Sequence, residues 1–250
     1  MKKKFKLSDE KITRLIPSMG SAFASDMITV EGQKVDYMLR EQPSEEGDSG
    51  WTFYGGGETQ DYRDKPSNRS IFDLNTIANY DADIIEFLTY PPGTEIKRNA
   101  NDKFEVLNKD IEKPDVILLH PVSPGRVQLT QNWSIDVNSL MLRRLEHASL
   151  VLWKPEFTIW INPYNSDLDT ETRVNEIKET KSAKAYNFKE ESEAGFTKLS
   201  YQLNEDGQES YYIFAFSGSD EIHFTIYYDH QSALKEIENM WQTIKSKKMS

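Results

Sequence analysis

The chain has 250 residues, 37 % of them hydrophobic and 28 % charged, with a formal net charge of −11 at pH 7 and no cysteine. That length allows one large or two ordinary domains with real cores, and no apolar run approaches the roughly 18 residues of a membrane span. The lack of cysteine excludes disulfides, thiolate nucleophiles and thiolate metal sites, and the negative charge argues against nucleic acid as a direct partner, because phosphate requires a basic face.

The basic start Met1-Lys2-Lys3-Lys4 runs into Ser8-Asp9-Glu10-Lys11 without an apolar segment, which predicts no secretory signal and a cytoplasmic chain. Residues 1–19 are expected to form a polar leader with a short helix capped by Ser8, carrying Ile12, Leu15 and Ile16 on one side and stopped by Pro17. From Ser21 the period changes to two. Ala22/Ala24, Ile28/Val30 and Val35/Tyr37/Leu39 predict strands with Glu31-Gly32-Gln33 as a hairpin turn, and Trp51 with Phe53 predicts a third. Pro, Ser and two Gly residues between Arg40 and Trp51 predict a loop joining two strands. Asp73 is placed to cap a helix through Ile77 and Asp81 a second, ended by Pro91-Pro92-Gly93, and Ile96 with Phe104, Val106 and Leu107 predicts closing strands.

Residues 108–125 contain three prolines and an isolated apolar run, Val116-Ile117-Leu118-Leu119, and are expected to connect two domains, 20–107 and 126–250. In the second domain, Trp133–Val137, Leu150–Trp153 and Phe157–Ile161 are rich in β-branched and aromatic residues and predict strands. Asp169 caps a predicted helix reaching about Thr180. Three further strands follow, Phe196–Leu203, Tyr211–Phe216 and Ile222–Tyr228, and then a helix with Leu234, Ile237, Trp241 and Ile244 on one stripe. Trp160 is expected on the face opposite Ile159 and Ile161. The lysine-rich end, Lys245, Lys247 and Lys248, is expected to be a frayed tail. The predicted class is α+β, two domains each built from an antiparallel or mixed sheet with packed helices.

No chemistry emerges from residue spacing. The histidines His120, His147, His223 and His230 are scattered, Gly55-Gly56-Gly57 is followed by Glu58 where a phosphate loop needs a lysine and a helix start, and Ser217-Gly218-Ser219 lacks the glycines of a nucleophile elbow. The expectation is therefore a non-enzymatic protein with no catalytic residues, no cofactor and no metal. What remains is charge. Between Glu41 and Glu86 stand eleven acids against three bases, a pattern that is either a solvated surface or a binding face. Trp51, behind the acidic loop, is either a core residue or an aromatic anchor at the edge of that face.

The runs Glu46-Gly47-Asp48-Ser49-Gly50-Trp51 and Asp73-Leu74-Asn75-Thr76-Ile77-Ala78-Asn79-Tyr80-Asp81 resemble a bacterial family, once catalogued as a domain of unknown function, among the immunity-like proteins of polymorphic toxin systems. The resemblance covers about residues 21–98. It implies a fold and an inhibitory, protein-binding role, and brings no catalytic residue with it. The second half loosely resembles Mog1/PsbP-like α+β domains in its order of elements. Joined to the charge pattern, the resemblance implies a protein partner, a basic toxin, met by Glu41, Glu45, Glu46, Asp48, Trp51, Asp61 and Asp64. A small-ligand sensor, a scaffold, or a hydrolase whose groups converge only in three dimensions stands as the alternative.

Overall fold

The computed structural model describes residues 3–193 and 195–247. Contacts divide the chain into two compact units, Met1–His120 and Pro121–Ser250.

The first unit is built on a mixed six-stranded sheet. Its elements are β1 (Ser21–Ser25), α1 (Asp26–Thr29), β2 (Val35–Arg40), β3 (Asp48–Gly55), α2 (Gln60–Arg63), β4 (Arg69–Asp73), α3 (Leu74–Tyr80), a 3-10 helix over Ala82–Phe87, β5 (Glu95–Arg98) and β6 (Phe104–Val106). The strand order is β4-β1-β3-β2-β5-β6. The β1–β3 pair is parallel, and β3–β2, β2–β5, β5–β6 and β1–β4 are antiparallel. Alternation sends Ala22, Ala24, Met38, Phe53 and Ile96 to one face, where they are fully or almost fully buried, as are Leu74, Ile77, Ala78, Ile84, Ile85 and Leu88 of the helical segments. Phe23 and Ile71, cross-strand partners on β1 and β4, point the other way and are exposed.

Three local expectations are corrected here, the first being the Ile28/Val30 strand, which is the single turn of α1 with Val30 at its C-cap. Glu31-Gly32-Gln33 is not a hairpin turn: Ser25 caps α1 by accepting from the Met27 N–H, and the α1 turn carries the chain across to β2, which pairs with β3 and not with β1. The leader holds only a 3-10 turn, Asp9–Lys11, and Ser8 makes no side-chain cap. Its end is tied down, since Asn75 Oδ1 accepts from the Leu15 and Ile16 N–H groups at 2.8 and 3.2 Å, and Ile16 is buried. The two predicted caps, Asp73 on α3 and Asp81 on the 3-10 helix, accept from the N–H two residues on.

The segment expected to be a bare connector contains β7 (Val116–Val122). The second unit adds β8 (Gly125–Gln128), β9 (Trp133–Val137), β10 (Met141–Glu146), β11 (Ser149–Lys154), β12 (Phe157–Asn165), α4 (Thr170–Thr180), β13 (Tyr186–Glu193), β14 (Phe196–Glu205), β15 (Gln208–Ser217), β16 (Asp220–Tyr228), α5 (Ala233–Thr243) and β17 (Lys245–Ser246). Its antiparallel strands follow the order β13-β14-β15-β16-β12-β11-β10. Ile237, Met240 and Trp241 of α5 join one core with Trp133, Ile159, Ile161 and Phe224, while Val174 of α4 joins a second with Leu199, Phe214 and Phe216. Trp160 is half-buried on the face opposite Ile159 and Ile161, as its alternation requires. Lys245 is not frayed but pairs with Ser134 of β9; Lys248 lies outside the described residues.

Residues 108–115 have no regular structure and are largely exposed, so a protease has access there without breaking a sheet. Limited proteolysis is expected to cut first within 108–115 and to leave two resistant fragments; early cuts inside either sheet with loss of both fragments are the contrary result.

Candidate functional site

The loop between β2 and β3, residues 41–47, is held as a fixed shape by its own polar groups. Asp48 Oδ2 accepts from the Ser44 N–H at 2.8 Å and from the Ser44 hydroxyl at 2.9 Å, and Asp48 Oδ1 accepts from the Gly50 N–H at 2.8 Å. The backbone donors of Ser44 and Gly50 hold the Asp48 carboxyl below its ordinary value. Glu41 N–H donates to Gly50 O at 2.9 Å, and Gly47 O accepts from the Ser21 N–H at 2.7 Å, which pins the loop to β1. Gly50 stands at φ +75, and a Cβ there would lie 2.1 Å from the Glu41 carbonyl oxygen, so only glycine permits this return of the chain.

The residues singled out for binding are not brought together. Glu41, Glu45 and Glu46 are exposed, and among the described residues their carboxylates make no hydrogen bond or ion pair. Asp48 faces inward on its loop and holds it. Asp61 and Asp64 are exposed on and beside α2, at the far end of β3, with Asp64 accepting from Gln60 at 2.7 Å. The seven residue steps of β3, at about 3.3 Å each, separate that end from the loop by roughly 23 Å. Several of the acids that made the stretch look like one face are engaged within the fold, two of them buried and two exposed. Glu58 is 1 % exposed and accepts from the Gly55 N–H, Asp73 caps α3, and Asp81 binds Arg98 at 2.6 Å with Asp83 3.0 Å from the same guanidinium. The acidic surface is therefore smaller than the count of charges implies, and consists at the loop of three free glutamates.

Of the two readings of Trp51, core residue or anchor, the structure has the core one, which removes Trp51 from the expected binding residues. It is 1 % exposed, its indole N–H donates to Leu88 O at 3.2 Å, and its ring stacks on Phe53 with centroids 6.0 Å apart. Arg40, whose guanidinium lies 5.8 Å from the Trp51 ring, donates through Nε to Ser49 O at 3.0 Å and through Nη1 to Tyr90 O. These bonds join the base of the loop to the chain after the 3-10 helix. The sequence signal was present in the Gly50-Trp51-Thr52-Phe53 alternation, where Trp51 shares a face with Phe53. Trp51→Ala is expected to cost about 3–5 kcal/mol in urea unfolding of the first unit, and Trp51→Phe less, since it loses mainly the bond to Leu88.

In the second unit, a cavity of about 610 Å³ is lined in part by Glu191, Phe196, Lys198 and Gln242. Two of its charged groups are engaged with one another: buried Lys198 donates to Trp241 O at 3.0 Å and lies 3.1 Å from Glu191, which accepts from the Trp241 indole. Elsewhere His223 sits 2.9 Å from Glu221, between the rings of Tyr164 and Phe214, and Glu221 also accepts from Arg173. Among the described residues no group of three or more His, Asp or Glu converges as a metal site would require, and no helix is long and apolar enough to cross a membrane.

Asp48 gives the loop a pH dependence. A carboxylate with a depressed folded-state pKa stabilises fully above its unfolded pKa and loses that contribution as pH falls through the folded value. Asp48→Asn is expected to destabilise the first unit by about 1–2 kcal/mol at pH 7. The difference from wild type should close in acid below the ordinary Asp pKa of about 4, measured by urea unfolding at several pH values.

No curated protein and no solved structure matches the chain. The family comparison does find a match, and it falls on the sheet that carries the loop, from the second residue of β1 to just beyond β6: residues 22–108 match the family model of the Immunity protein Imm33 domain.

Proposed function

We propose that the chain is a non-enzymatic, cytoplasmic immunity protein that binds and neutralises a basic protein toxin, and that its first unit meets the toxin through the β2–β3 loop. The observation that carries this reading is the coincidence of the Imm33 match with a rigid loop presenting three unpaired glutamates, Glu41, Glu45 and Glu46. Enzymes that act on phosphate backbones carry basic clefts. A preformed cluster of carboxylates steers such a partner into encounter and, on desolvation, pairs with its cations. Pre-organisation by Asp48 and Gly50 favours the complex, because the loop loses little conformational freedom on binding. Asp61 and Asp64 belong to a separate part of the unit, and in this reading they take part only with a partner wide enough to span β3.

The test uses the toxin encoded beside this protein's gene. Glu41→Lys, Glu45→Lys and Glu46→Lys are combined while Asp48 is left intact, so that the loop keeps its shape, and association is followed at low and high salt. The association rate is expected to fall by about tenfold or more at low salt, with a smaller difference at high salt. Unchanged rates and affinity remove the loop from the interface.

A further inference from the structure

The face of the first sheet opposite its helical layer holds a second feature, at the α2 end. Arg63 lies with its guanidinium 4.6 Å from the centroid of Tyr54 and 5.6 Å from that of Tyr37, and Arg69 lies 5.1 Å from the ring of Phe23. The two arginines line one groove of about 410 Å³ with Tyr37, Leu39, Tyr54 and Asp64. Among the described residues neither guanidinium donates a hydrogen bond, and the one carboxylate near Arg63 is Glu58 at 3.8 Å, too far for one. Glu58 is almost wholly buried and already accepts from the Gly55 N–H at 2.6 Å, while its Oε2 and Arg63 Nε are both buried without a hydrogen-bond partner. It thus fixes Arg63 electrostatically without saturating it. The Tyr37 hydroxyl donates to Glu95 at 2.7 Å, which leaves the ring as a platform for the guanidinium.

An arginine offers five N–H donors in a planar fork that matches a carboxylate in two-point fashion, and stacking on a ring fixes the fork's plane before a ligand arrives. Beside the two forks run Leu39, half-buried, Phe23, 39 % exposed, and Ile71, 62 % exposed. We propose that this groove docks an extended segment of a protein partner in which glutamate or aspartate side chains flank apolar ones, the carboxylates on Arg63 and Arg69 and the apolar groups on Leu39, Phe23 and Ile71. A phosphate backbone has nothing to offer the apolar strip. Asp64 at the rim and the chain's charge of −11 oppose any anion, so it is the apolar strip that separates an acidic peptide from a phosphate backbone. The same net charge gives an acidic segment no long-range attraction, so binding is short-ranged and modest. The Arg63 end of this surface lies beside Tyr54 near the end of β3 remote from the acidic loop, while Leu39 and Phe23 pair with Thr52 in mid-strand. The inference does not rest on the toxin reading.

The test is a titration of the whole 15N-labelled protein, following the arginine Nε–Hε signals, with a blocked Glu-Leu-Glu-Leu-Glu peptide, its Gln-Leu-Gln-Leu-Gln counterpart and inorganic phosphate. The Glu peptide is expected to shift the Arg63 and Arg69 signals saturably, with a dissociation constant of roughly 1 mM or tighter, while the Gln peptide shifts them little. Backbone amides of Leu39, Phe23 and Ile71 should move in the same titration. Arg63→Gln with Arg69→Gln should abolish those amide shifts, and the paired lysine substitutions, which keep charge and lose the fork, should weaken binding by about tenfold. No shift at about ten times that concentration overturns the proposal, as does an equal response to the Gln peptide. Shifts with phosphate but not with peptide would make this a free-anion site, and shifts on concentrating the protein alone would make the occupant a second copy; either result also overturns it.

Discussion

A buried charge pair ties the first unit together. Asp81, 5 % exposed, accepts from the Val35 N–H at 2.9 Å at the start of β2, from Arg98 of β5 at 2.6 Å, and from the Asp83 N–H at the head of the 3-10 helix. One carboxylate thus fixes two neighbouring strands and the helical layer above them. Such a pair is costly to desolvate and is tolerated only when its remaining lone pairs and protons are matched. Here they are. Arg98 also donates to Val35 O at 2.9 Å and Asp102 O at 2.9 Å, and its guanidinium lies 4.1 Å from the ring of Phe104. Removing either partner would leave the other as an unpaired buried charge, a far larger penalty than the loss of a surface ion pair.

With the helical layer fixed on one side, the unit is free to present chemistry at its ends and on its open face. The β2–β3 loop carries free carboxylates held out by a backbone that has no slack. The groove beside α2 carries guanidinium groups set over aromatic rings, with no hydrogen bond from either among the described residues. The two are opposite in sign, and among the described residues no ion pair joins Glu41, Glu45 or Glu46 to Arg63 or Arg69. Glu58 and Asp81 are internal and Asp48 is spent on its own loop, so the acids left exposed in this stretch do not form one continuous face.

The loop and its bounding strands were legible because proline and glycine exclude regular structure locally, and the caps because Asp73 and Asp81 act within two residues of themselves. The C-terminal helix was legible for the same kind of reason, its stripe of Ile237 and Trp241 being a one-dimensional pattern. What was lost depended on distance or on exposure. The parallel pairing of β1 with β3 bridges an intervening α1 and β2, and no periodicity in β1 encodes its partner. Strand β13 is exposed along its whole length and rich in glutamate, so it carries no buried alternation to read. In β10 the adjacent Arg143 and Arg144 break the apolar pattern. Trp51 was ambiguous because an aromatic beside glycine suits a core and a binding edge equally until the bond to Leu88 is seen. Arg63 and Arg69 had no sequence signal, since their platforms Tyr37, Tyr54 and Phe23 come from three strands.

The parallel β1–β3 pairing also sets an order of assembly. A strand that bonds to β3 on one side and to β4 on the other has no partner until β3 has been made and keeps one open edge until β4 follows, whereas β2 and β3 close locally as a hairpin. Non-local closure of this kind is slow compared with hairpin formation and exposes apolar edges in the meantime. During synthesis, the strand that carries the buried Ala22 and Ala24 therefore keeps one edge open until the chain extends through Asp73.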